Sequence, residues 1–151
     1  MPITWTDNNE EGILYMYKDT LVISADVASK RFDRILVDTR SSVDVMFKST
    51  LDNVRIARLR LESTNTSLKG FRGGRLTPLG VVELPVTIGT SPFQKTVMLD
   101  FVVVNDDNPY QIILGRLFLR VTKAVVSNHY LVLKYRVNGI VGVVKEDQRI
   151  A

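Results

Sequence analysis

The chain has 151 residues, 45% of them hydrophobic and 24% charged, with a formal net charge of +4. That length suits one domain with its own core, and the composition excludes a disordered chain. There is no cysteine and a single histidine, His129, which excludes disulfides, thiolate metal sites, a cysteine nucleophile and a multi-histidine metal centre.

Residues 1–19 open with the polar run Asp7-Asn8-Asn9-Glu10-Glu11 and read as an exposed arm. Met1-Pro2-Ile3-Thr4-Trp5 lacks a basic region followed by an apolar stretch, so no secretory leader is expected. No apolar run approaches the ~18 residues of a membrane span. An intracellular, reducing setting fits the missing cysteines. From Thr20 the pattern alternates as a strand does, with Leu21, Ile23 and Ala25 on one face. A polar Ser29-Lys30-Arg31 turn leads into a second strand, Phe32 to Val37, that ends at Asp38.

A short helix is expected near Val43 to Leu51. Gly70-Phe71-Arg72-Gly73-Gly74-Arg75 lacks the lysine and Ser/Thr of a phosphate-binding loop and reads as a hairpin tip. Leu79 to Ile88 is a strand with Val82, Leu84, Val86 and Ile88 on one face, and Pro85 points to an edge position. After the Gly89-Thr90-Ser91-Pro92 turn, Thr96 to Val104 is a valine-rich strand. Asn105-Asp106-Asp107-Asn108-Pro109 separates it from Tyr110 to Leu114, and one helical turn follows Gly115. Asn138-Gly139 joins two last strands, Leu131 to Tyr135 and Ile140 to Val144, as a tight hairpin. The expected organisation is an arm over 1–19, one mainly β domain over 20–145 and a tail over 146–151.

Chemistry concentrates where the apolar strand Ile35-Leu36-Val37 delivers Asp38 into the polar Thr39-Arg40-Ser41-Ser42. A carboxylate beside a buried strand end is placed to acquire an unusual pKa. Taken alone, Asp38 reads more simply as a cap for the following helix. A second segment, Ile112-Ile113-Leu114-Gly115-Arg116, reads alone as a strand-to-helix junction with a structural glycine and a locally paired arginine.

In this order, the Asp38-Thr39-Arg40-Ser41-Ser42 segment, the glycine-rich Gly70-Phe71-Arg72-Gly73 with Pro78-Leu79-Gly80, and Ile112-Ile113-Leu114-Gly115-Arg116 resemble the retropepsins. These are the aspartic proteases of retroviruses and retrotransposons, and the likeness is greatest to those of plant gypsy-like elements. It covers nearly the whole chain. The resemblance implies a closed β-barrel of the acid-protease type with one or two short helices, no cofactor and no metal. It implies Asp38, Thr39 and Ser41 as the catalytic segment, Gly70, Phe71 and Gly73 as a flap over an extended peptide of a polyprotein, and Gly115 and Arg116 as structural support.

Aspartic protease chemistry needs two carboxylates sharing a proton, and this chain has one such segment with no later repeat. Asp44 is too near in sequence to supply a second lobe. A homodimer giving one Asp38 from each copy is therefore expected. Arg40 departs from the family, which carries glycine there. A non-glycine residue at positive φ costs roughly 1–2 kcal/mol, and a guanidinium within ~4–6 Å of the pair opposes the shared-proton state.

Two other readings accompany the protease. One is a catalytically inactive relic that keeps the barrel and dimer surface, favoured by Arg40. The other is a nucleic-acid binding module using Arg55, Arg58, Arg60, Lys69, Arg72 and Arg75. Asp52 and Glu62 interrupt that charge and no aromatic stacking face accompanies it, so nucleic acid is not the expected partner. His129 reads as an exposed turn residue, and Asp106 and Asp107 as turn formers, because a calcium loop needs more acidic ligands at regular spacing.

Overall fold

A computed structural model describes residues 20–54, 68–69, 75–76, 78–127 and 129–147. The arm over 1–19, Trp5, the arginines at 55, 58, 60 and 72, and Gly70, Phe71 and Gly73 lie outside the described residues. The chain folds as β1 (Thr20–Val27), β2 (Lys30–Asp38), β3 (Asp44–Phe47), α1 (Lys48–Leu51), β4 (Leu68–Lys69) and β5 (Arg75–Leu76). It continues as β6 (Gly80–Ile88), β7 (Lys95–Val104), β8 (Ile112–Leu114), α2 (Arg116–Thr122), β9 (Val125–Ser127), β10 (Val132–Val137) and β11 (Ile140–Lys145).

Six strands close a barrel in the order β1-β2-β8-β3-β7-β6, and β9, β10 and β11 form a separate three-stranded sheet. The expected mainly β barrel with one or two short helices is what the described residues form, α1 and α2 being the helices among them. Leu21, Ile23, Ala25 and Val27 of β1, and Val82, Leu84, Val86 and Ile88 of β6, join one core with Ile35, Val37, Phe101, Ile112 and Leu114. The alternate residues Val22, Leu36, Val45, Phe47, Val102, Val104 and Ile113 pack into a second cluster on the other face. Strands buried on both faces read as continuous apolar runs, which is why Ile35-Leu36-Val37 and Phe101 to Val104 show no alternation.

Three local readings shift. The first hairpin turns at Ala28-Ser29, not at Ser29-Lys30-Arg31, with φ of 51° and 66° at the two residues. Positive φ at both central residues gives the turn hand that matches strand twist. Val43 to Leu51 is not one helix: Asp44–Phe47 is a strand, and only Lys48–Leu51 is helical. Val45, Met46 and Phe47 are all buried, and β-branched and aromatic side chains suit a strand enclosed between β8 and β7.

Pro85 does not sit on an open edge. Its carbonyl accepts the Ala28 N–H at 2.9 Å just where the two-residue β1–β6 pairing ends, so its missing donor falls at the margin of a short seam of the barrel. Asn138-Gly139 makes the last hairpin as expected, with φ of 50° and 78°. Glu146 and Asp147 then return to β1: the Asp147 N–H donates to Val22 O at 2.9 Å, and the Val22 N–H to Glu146 Oε1 at 3.3 Å.

Candidate active site

Register brings the two motif segments together. β2 and β8 run parallel with Ile35 opposite Ile112, Leu36 opposite Ile113 and Val37 opposite Leu114. Asp38-Thr39 and Gly115-Arg116 therefore leave the sheet side by side, although 77 residues separate Thr39 from Arg116. Neither segment reveals this alone, because β8 enters between β2 and β3 only after the whole of β6 and β7 has been laid down.

Asp38 is half-buried at the end of β2. Its carbonyl accepts the Ser41 N–H at 3.1 Å, closing a four-residue turn, and its Oδ1 accepts the Arg40 N–H at 2.9 Å. A side-chain oxygen bound to the N–H two residues on is the device by which Asp stabilises its own turn. The carboxyl group is thus held to one orientation by backbone on its own chain, with no need of a capping role for α1. The N-cap of α1 is Phe47, and no side-chain bond caps it.

Ser41 hydroxyl donates to Val43 O at 2.7 Å, so Ser41 reaches Asp38 through its N–H and not through its side chain. Thr39 carbonyl accepts from Arg116 Nε at 3.1 Å, and Ser41 carbonyl accepts the Arg116 N–H at 2.9 Å. Arg116 braces the turn at both ends. Arg40 is exposed, and the described non-glycine residues with positive φ are Ala28, Ser29, Lys123, Leu131 and Asn138. The turn accommodates Arg40 without entering the left-handed region.

Asp44, too near Asp38 in sequence for a second lobe, belongs to the support of the Asp38 turn. It is fully buried, and its Oδ1 accepts the Gly115 N–H at 2.7 Å. Gly115 is the N-cap residue of α2 and has no side chain to offer the first-turn N–H groups, and the Asp44 carboxylate from β3 faces the N–H of Phe118 in that turn as well as that of Gly115. Burial raises the Asp44 pKa to about 6, against the lowering effect of the Gly115 and Phe118 N–H groups, with Asp100 adding repulsion. The signal in the sequence was one acidic residue inside the apolar run Val43 to Phe47.

β4 and β5 pair antiparallel, with Lys69 opposite Arg75, so residues 70–74 join the two. His129 is half-buried, with its ring edge-on to Tyr130 at 5.1 Å. Among the described residues no group of acidic or histidine side chains is arranged to hold a metal ion. No helix among them is long and apolar enough to cross a membrane.

Among solved structures, 26 chains match this one. The retroviral protease-like domain of Ddi1 from Leishmania major superposes with a TM-score of 0.58 at 17% identity, over 84% of this chain and 95% of that one. The fold is that of the retroviral protease-like domains. EIAV protease, solved in complex with the inhibitor HBY-793, matches with a TM-score of 0.52 at 17% identity, over 76% of this chain and 99% of that one. No family model and no curated protein matches the chain. At this identity the retroviral protease-like character is one of fold.

Proposed function

We propose that this chain is an aspartic endopeptidase domain of a gypsy-like retrotransposon polyprotein, active as a homodimer in which each copy contributes Asp38. The observation that carries the reading is the fixed presentation of Asp38: a half-buried carboxyl group at a barrel strand end, bound by the Arg40 N–H and braced from behind by Arg116. Two such groups facing each other share one proton, since both cannot ionise at close range. The ionised carboxylate takes a proton from water as general base while its protonated partner polarises the scissile carbonyl. The substrate is an extended peptide segment, paired along its backbone and covered by the 70–73 segment as a flap. No cofactor enters this chemistry.

Arg40 supports a second reading, a disabled protease that keeps the barrel and the dimer. Backbone strain does not argue for it, because Arg40 has no positive φ. Its positive charge does, since a guanidinium near the pair favours two ionised carboxylates. The test is cleavage of an unfolded protein at about pH 4 to 6, where a carboxyl pair holds one proton, by the parent chain, Asp38→Asn and Arg40→Gly. Cleavage by the parent that Asp38→Asn abolishes supports the endopeptidase. Cleavage by Arg40→Gly alone supports the disabled protease, and no cleavage by any of the three overturns the endopeptidase and the assignment of the defect to Arg40.

A further inference from the structure

Beneath the Asp38 turn lies a second carboxyl group that the proposed reaction does not use. Asp44 Oδ1 accepts the Gly115 N–H at 2.7 Å and the Phe118 N–H also faces the carboxyl group, but among the described residues its Oδ2 makes no hydrogen bond of full geometry. Gly115 fits directly against the turn: a methyl group on it would stand 2.5 Å from Ser41 O and 2.6 Å from Val43 O. Arg116 holds the same turn at Ser41 O and Thr39 O. Contacts therefore run from Asp44 through Gly115 and Arg116 to both sides of Arg40, and end at Asp38, which the Arg40 and Ser41 N–H groups hold.

We propose that Asp44 is a proton-dependent positioning residue: neutral, it keeps the Gly115-Arg116 junction seated against the Asp38 turn, and on ionising it loosens that junction. The importance of this for activity rests on the reading of Asp38 as catalytic. The physical cause is the environment. A buried charge with one oxygen lacking a hydrogen bond of full geometry is far costlier than a buried neutral carboxyl group, and opening to water relieves the cost. Opening at Asp44 gives up the Gly115 bond first, and with it the backing of the turn.

The charges around Asp44 agree. Asp100 on β7 repels its ionised form, and burial acts in the same direction. Arg116, at the start of α2, is turned to Thr39 O through its Nε at 3.1 Å, and Asp38 accepts the Arg40 N–H within the turn. Lys48, which follows β3, is turned to Asp52 at 3.1 Å.

The test is amide hydrogen exchange by NMR on the full chain from about pH 4 to 8, corrected for the intrinsic pH dependence of exchange. In the parent, the Gly115, Arg116 and Ser41 amides are expected to lose protection by roughly 50-fold over that range, the ratio set by a carboxyl group at about 6 when closed and 3.8 when open. Asp44→Asn keeps an acceptor oxygen but cannot ionise, so its protection is expected to stay flat. A flat parent, or an equal loss in Asp44→Asn, overturns the proposal. Should Asp44→Asn fail to fold, carbon-13 titration of the Asp44 carboxyl group in the parent decides: a midpoint matching the amide transition supports the proposal, and an ordinary carboxylate midpoint overturns it. Cleavage is read separately, so a chain with this exchange pattern and no peptidase activity keeps Asp44 as a positioning residue and loses the catalytic reading of Asp38.

Discussion

Ionisation of Asp44 also gives the domain a pH-dependent stability of definite sign. The folded chain keeps the Asp44 proton up to about pH 6, whereas the unfolded chain releases it around 3.8. The contribution is therefore fully present below 3.8 and lost as pH rises through 6, and two pKa units correspond to roughly 3 kcal/mol. Urea unfolding at pH 4 and pH 8 is expected to show Asp44→Asn losing about 2–3 kcal/mol less than the parent over that interval. Equal losses refute the assignment. Arg40 invites a different comparison at the same scale. Since its φ is not left-handed, glycine there adds only unfolded-state freedom and is expected to cost about 0.4–1 kcal/mol of stability. Any gain in cleavage then comes from removing charge and bulk, so Arg40→Ala should recover as much activity as Arg40→Gly. Recovery by glycine alone would show that the backbone, and not the guanidinium, is at fault.

Two glycines with the same backbone angle separate conformational strain from crowding at the level of elements. Gly139, between β10 and β11, has φ of 78° and nothing near where a Cβ would stand, whereas Gly89, after β6, has φ of 79° and lies against the Tyr135 hydroxyl and Phe93 O. Gly139→Ala is expected to cost about 1–2 kcal/mol, the strain alone. Gly89→Ala is expected to cost roughly 1–3 kcal/mol more because it also overpacks a closed site. Tyr135→Phe removes the hydroxyl that bonds Phe93 O at 2.7 Å, and in the double variant it should relieve part of the Gly89→Ala cost. Strict additivity in thermal unfolding counts against that coupling. These elements also mark what the sequence makes legible. Asn138-Gly139 announces its hairpin because the positive φ is a local demand. The alternation of β6 announces its buried face, and Asp38 stands out at the end of an apolar strand. β3 does not, because Asp44 to Phe47 is a strand only through its neighbours β7 and β8, and the meeting of Thr39 with Arg116 depends on a register set across the barrel.

At the scale of the whole molecule, a single Asp38 per chain makes concentration part of the catalytic mechanism. If the working pair is formed by two copies, specific activity falls on dilution below the dimer dissociation constant, and sedimentation at micromolar concentration shows the dimer. Mixing is the sharper measurement, because Asp38→Asn leaves every apolar contact of the barrel in place and removes only one charge. In an equal mixture of active and Asp38→Asn chains, about a quarter of randomly assorted dimers hold two carboxylates, so each active chain is expected to show half its unmixed activity. The active partner is whichever of the parent and Arg40→Gly cleaves. A site complete within one chain predicts no loss on mixing, and that result would remove the dimeric pair however well Asp38 is presented. Because Arg116 and Gly115 brace Asp38 from within the same chain, variants at these positions act on each copy separately. Gly115→Ala, which drives a methyl group towards Ser41 O and Val43 O, is expected to cost about 1–3 kcal/mol of stability by overpacking. In equal mixtures with the active chain it is expected to lower the activity of mixed dimers without abolishing it, because both carboxylates remain. Full abolition by one Gly115→Ala copy would mean that the turn is built jointly by the two chains.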